Sequence, residues 1–91
     1  MLPKKYPNKL KYIREEVVNI KRYNNGQPPL TQAILAKQCG VTRQTIIAIE
    51  NQDQMPSYPV AVRIAHLFKE YCKVTELFPL PPRRQTLDKS A

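Results

Sequence analysis

Ninety-one residues with 42% apolar content suffice for one domain with a modest core that needs neither disulfides nor a structural metal. The formal net charge of +8 is concentrated in residues 1–29, where Lys4, Lys5, Lys9, Lys11, Arg14, Lys21 and Arg22 meet only Glu15 and Glu16, and such a flank suits contact with phosphates as well as plain solubility. No apolar run approaches the ~20 residues that cross a bilayer, MLPKKYPNKLKY lacks the apolar stretch of a secretory signal, and Cys39 and Cys72 have neither CxxC spacing nor a second histidine, so the expectation is a cytoplasmic protein with free thiols, no metal and no cofactor.

Residues 1–7 contain Pro3 and Pro7 and are expected to form an irregular basic arm. Asn8 is a candidate N-cap. Helix 1 is expected from about Lys9 to Tyr23, with Leu10, Ile13, Val17 and Ile20 as one apolar stripe at helical spacing. Asn24-Asn25-Gly26 ends it, because Asn and Gly tolerate the left-handed backbone. Gln27-Pro28-Pro29 is then a stiff loop.

Thr31 is the next N-cap, and Gln32 to Gln38 make helix 2, with Ile34 and Leu35 toward the core and Ala36 at a close helix crossing. Gly40 supplies the positive φ of a tight turn, and Val41 packs beneath it. Thr42 caps helix 3, which extends to about Asn51 with Ile46 and Ile49 as its core residues. Ser57 or Tyr58 starts helix 4, with Pro59 in its first turn. Val60, Ala61, Ile64, Ala65, Phe68 and Tyr71 or Cys72 form its buried face. Thr75 to Phe78 is a short last helix, and Pro79, Pro81 and Pro82 end all helix. The pattern is all-α, with domain boundaries expected at 8–78 between the arm and a flexible Pro-rich tail over 79–91. No window alternates well enough for a strand.

At Thr31–Asn51 the chain resembles the Cro/repressor-type helix-turn-helix regulators, the xenobiotic response element family. The resemblance is carried by Leu30-Thr31-Gln32, Leu35-Ala36, Gly40-Val41-Thr42, Arg43-Gln44-Thr45-Ile46 and Ile49-Glu50-Asn51. Weaker matches at Asn8, Leu10 and Arg14, and from Pro56-Ser57 to Leu77-Phe78, extend it over about residues 8–78. It implies a compact five-helix bundle of the lambda-repressor-like type that binds double-stranded DNA as a transcriptional regulator, with repressor the expected sense. Two departures stand out. Helix 1 and its Pro28-Pro29 loop are longer than usual for the family, and helix 4 is expected to run about two residues longer before Val74.

A helix fits the major groove with its N-terminal side chains on base edges. Arg43 can offer a fork to guanine, and Gln44 a donor and an acceptor to adenine. Ile47 and Ala48, one turn on, can touch a thymine methyl; for Ile47 the competing place is the core edge. Backbone contacts are expected from Arg14, Gln32, Thr42, Thr45 and Asn51, with Lys9 and Lys11 as secondary candidates beside Arg14 on helix 1, and that of Gln32 is implied by the resemblance. A plain cap is the simpler role for each Thr and for Asn51. Glu50, acidic beside DNA, is expected to serve an intraprotein partner. No catalytic constellation is present: there is one histidine, His66, and no glycine-rich phosphate loop. The competing function is an antitoxin-like or adaptor module that holds another protein. A homodimer is compatible with either, with Leu77, Phe78 and Leu80 as the candidate surface.

Overall fold

A computed structural model describes residues 6–79, and these form five helices with no strand among them. Most of the expected arm (1–7) and tail (79–91), and Leu80, lie outside the described residues. Helix α1 is continuous through Leu10–Tyr12, a π-helical stretch Ile13–Val18, and Asn19–Asn24. It is followed by α2 (Gln32–Cys39), α3 (Arg43–Glu50), α4 (Tyr58–Leu67) and α5 (Val74–Leu77). Leu10, Val18, Leu35, Cys39, Ile46, Ile49, Ile64, Phe68 and Leu77 are fully enclosed in one core, each large apolar member contributing about 1.5–3 kcal/mol.

The π-helical stretch corrects the apolar stripe expected in α1. The Asn19 N–H reaches the Arg14 carbonyl, five residues back. This wide turn shifts the inward face by one position, because a π turn holds more residues than an α turn. Val18, 2% exposed, takes the core place expected for Val17, and Ile20 is left 51% exposed. The same shift brings Asn19 inward, while Arg14, four residues beyond Leu10, faces inward by ordinary helical spacing. Asn19 clasps the end of the proline loop, its Oδ1 accepting from the Leu30 N–H at 2.7 Å and its Nδ2 donating to the Leu30 carbonyl at 3.3 Å. Arg22 Nε holds the Pro28 carbonyl at 2.7 Å. The long loop is thus fastened to α1 at two points, and Leu30 is buried.

Asn8 acts at the start of α1, its Oδ1 accepting from the Leu10 N–H at 3.0 Å while its Nδ2 donates to the Ile49 carbonyl at 2.8 Å. The Lys9 N–H donates to the Leu77 carbonyl at 2.9 Å, joining the first and last helices.

Three helices end in the same way. After α1, α2 and α3, a residue with positive φ turns the chain, and the next N–H bonds back across the last turn: Gln27 to Arg22, Val41 to Ala36, and Asp53 to Ala48, at 2.8, 3.0 and 3.0 Å. Glycine holds the first two turning positions, as the sequence indicates. Gln52 holds the third at φ 66, where a Cβ is disfavoured. Gln52→Gly is therefore expected to stabilise the fold by about 0.5–1 kcal/mol, read as a rise in the urea midpoint; a lower midpoint would mean that the Gln52 side chain contributes more than its backbone costs.

Other expectations meet corrections. Ile34 is 39% exposed, because α2 turns Leu35, Ala36 and Cys39 inward and Ile34 falls to the side of that face. Helix α4 ends at Leu67, not near Tyr71 or Cys72. Phe68 leaves the helical backbone at φ −102, ψ 8, and its carbonyl accepts from both the Tyr71 and Cys72 N–H groups in a tight turn. Helix α5 starts at Val74, a residue before Thr75, with the Glu76 carboxylate accepting from the Lys73 N–H at 2.9 Å. Leu77 is wholly buried, so it supplies no outer surface for a partner.

Candidate nucleic-acid interface

The front of α3 is built from its cap outward. Thr42, in extended backbone, accepts from the Thr45 N–H at 3.3 Å, and the two hydroxyls lie 3.1 Å apart. Thr31 does the same for α2, accepting from the Ile34 N–H at 3.1 Å. Both caps are where the sequence places them. A cap at Thr42 presents the next two side chains to solvent, and Arg43 and Gln44 are exposed. Ile46 and Ile49 on the opposite side are enclosed in the core. Thr45, Ile47 and Ala48 are half-buried, and Asn51 is exposed where α3 ends. The two helices are held at their turn by Arg63 of α4, whose Nη1 donates to the Cys39 carbonyl at 2.8 Å. That guanidinium also lies 2.8 Å from where a Cβ on Gly40 would stand, so a larger residue would have to displace the Arg63 side chain, while the positive φ is what calls for glycine.

Arg14 corrects the expectation of a phosphate contact from helix 1. It is 7% exposed, and each arm of its guanidinium is engaged. Nε and Nη2 donate to the two oxygens of Glu50 at 2.6 and 3.0 Å, and Nη1 donates to the Leu30 carbonyl at 3.1 Å. The Glu50 hydrogen bonds hold the Arg14 pKa above its ordinary value, against the pull of burial. Glu50, itself 4% exposed, has the basic partner expected of it. The physical reason is its place on the helix: Arg14 stands four residues beyond the buried Leu10 and beside Ile13, on the face that meets the end of α3.

Gln32, at the start of α2, joins this pair to the surface. Its Nε2 donates to Glu50 Oε1 at 2.9 Å, and its Oε1 accepts from Arg43 Nη2 at 3.4 Å. Arg14, Glu50, Gln32 and Arg43 thus form one polar chain from the core to the exposed front of α3. The chain borders an open cleft of about 410 Å³ between α1 and the starts of α2 and α3, rimmed by Lys11, Glu15, Thr31, Gln32 and Arg43. Nothing in the sequence joins Arg14 to Gln32 and Glu50, which are far apart along it. Asn19 gave no signal either, since the apolar spacing of helix 1 leaves it off the expected stripe.

The cysteines carry no chemistry here. Burial pushes the Cys39 thiol above its usual range against the opposing pull of Arg63, and burial with Glu76 raises that of Cys72, so both are poor thiolates. Cys72 is half-buried, less than expected. Among the described residues no group of His, Cys, Asp and Glu is arranged to hold a metal, and no helix is long and apolar enough to cross a membrane.

Comparison with known proteins matches residues 29–72 to the helix-turn-helix family. An uncharacterised HTH-type transcriptional regulator from Methanocaldococcus jannaschii is 44% identical over 71 residues, which cover 78% of this chain and 88% of the relative.

Proposed function

The chain belongs to the helix-turn-helix family of Cro/C1-type proteins, and from that premise we propose that it is a sequence-specific, duplex-DNA-binding transcriptional regulator, with repression as its mode. The observation that carries this is the front of α3, where Arg43 and Gln44 stand exposed on a capped helix whose other face is locked in the core. A well-patterned helix gains nothing in packing from these two side chains, whereas a major groove offers both a partner. Arg43 then takes a guanine, Gln44 an adenine, and Ile47 and Ala48 the thymine methyls within their half-buried reach. Thr42, Thr45, Asn51 and Gln32 would place the helix against the phosphates. Arg14 is left out of that set, since its donors are used inside the fold, and the exposed Lys11 at the cleft rim takes its place. A homodimer on a two-fold site accords with this mode of binding.

Selection of duplexes from a random-sequence pool on the purified chain tests the proposal and gives the site. On the selected duplex, Arg43→Ala is expected to lose about 1–3 kcal/mol, roughly 5- to 150-fold, of discrimination at one base pair. Equal weakening on every sequence would instead make Arg43 a phosphate contact. Failure to enrich any sequence would favour a protein-binding module.

A further inference from the structure

We infer that Glu15 is an electrostatic brake on duplex binding, a carboxylate set into the cleft where phosphates approach. This rests on the proposal that the chain binds duplex DNA with the front of α3. Glu15 and Glu16 are adjacent on α1 and both are exposed. Of the two, Glu15 lines the cleft between α1 and the starts of α2 and α3, and Glu16 does not. Neighbouring residues on a helix point about 100° apart, so the pair sets equal charges on different faces. The other charged residues of the cleft are Lys11, Arg14 and Arg43.

Glu15 Oε2 lies 3.8 Å from Arg14 Nη2, beyond hydrogen-bonding distance. That nitrogen donates instead to Glu50 Oε1 at 3.0 Å, and Arg14 Nε donates to Glu50 Oε2 at 2.6 Å. The positive charge of Arg14 is thus already matched by Glu50. Removing the Glu15 carboxylate would strand no buried donor, so the fold does not account for it. What it does act against is Lys11 and Arg43, the two cations that the cleft keeps for phosphates. A carboxylate there repels the phosphates and offsets part of the counterion release that those cations bring. Affinity is lowered on every sequence, and binding depends the more on the base edges that Arg43 and Gln44 read.

The test compares the full chain with its variants Glu15→Gln, Glu15→Ala and Glu16→Gln on the selected duplex and on a random one, by fluorescence anisotropy across a salt series. Glu15→Gln and Glu16→Gln change the net charge equally, so position on the helix alone tells them apart. Glu15→Gln is expected to tighten binding to both duplexes by about 3-fold at low salt, since one unit charge near a phosphate across water is worth roughly that much, and the gain should fade as salt rises. The log–log slope should steepen by up to about one contact. Glu15→Ala should act alike, because the charge is the cause. Glu16→Gln should move affinity by less than about half as much. The expected change is a gain, which a loss of folding cannot mimic. Equal gains from Glu15→Gln and Glu16→Gln would reduce the effect to net charge and overturn the inference. Unchanged or weaker binding by both Glu15 variants would overturn it too, as would a loss confined to one base pair, which would make the carboxylate an acceptor for DNA. If the full chain binds no duplex at all, the DNA-binding proposal itself falls and the inference with it.

Discussion

Glu50→Ala is expected to cost about 3–5 kcal/mol of stability, because it strands the buried Arg14 charge without its partner. Arg14 and Glu50 are 7% and 4% exposed, so water does not screen the pair as it screens a surface bridge. Removing the carboxylate also orphans Gln32 Nε2. Native domains stand only about 5–15 kcal/mol above unfolding, and this one is small, so the variant should be largely unfolded near 37 °C. Urea titration followed by circular dichroism reads the loss, and a shift worth under about 1 kcal/mol would mean that the pair is open to solvent. The loss should not be read as the net worth of the pair. Replacing both partners by apolar residues of similar volume, as in Arg14→Met with Glu50→Leu, should recover most of the stability, since the two desolvation costs vanish together. That double variant separates the stabilising role of the pair from its place in the polar chain to Arg43.

The second large effect is on affinity. DNA binding should fall steeply with salt, with a log–log slope near −0.9 for each phosphate neutralised. With about six contacts the loss between 50 and 200 mM salt is on the order of 10³-fold. The candidate cations are on α1 and the front of α3, with Lys11 and Arg43 at the cleft between them. Because Arg14 is consumed inside the fold, the double variant Arg14→Met with Glu50→Leu should leave the slope nearly unchanged, while Lys11→Gln should reduce it by close to one contact. Fluorescence anisotropy on a labelled duplex across a salt series measures both. Binding that ignores salt would remove phosphate neutralisation from the mechanism.

The capped starts of α2 and α3, the glycine turn and the core positions Leu35, Ala36, Ile46 and Ile49 were legible because each depends on a few neighbouring residues. A threonine before an apolar run, or a glycine after one, announces itself locally. The inward face of α1 was legible only in its first half: Leu10 and Ile13 are buried as the spacing predicts, but beyond the π turn the register moves by one residue, and periodicity alone assigned the core to Val17 and Ile20 instead of Val18. The same blindness to long-range partners put Arg14 on the DNA. Residue types at the front of α3 were readable as polar and exposed; that one of them leans on Gln32 was not, since the amide is oriented by a carboxylate from another helix. Leu77 was mistaken for surface because a short terminal helix gives too few residues for a periodic signal.

The hydrogen bond from Lys9 to the Leu77 carbonyl bears on the order in which the fold assembles. It makes the backbone nearly a closed ring, drawn shut between the first turn and the last. Closing a ring of that size carries the largest chain-entropy penalty of any backbone contact described above, whereas α2 meets α3 across a short turn. Contacts so local form first at least cost. On that ground α2 and α3 are expected to pair before the two ends of the domain come together, read as higher φ-values in the helix pair than at the Lys9–Leu77 closure.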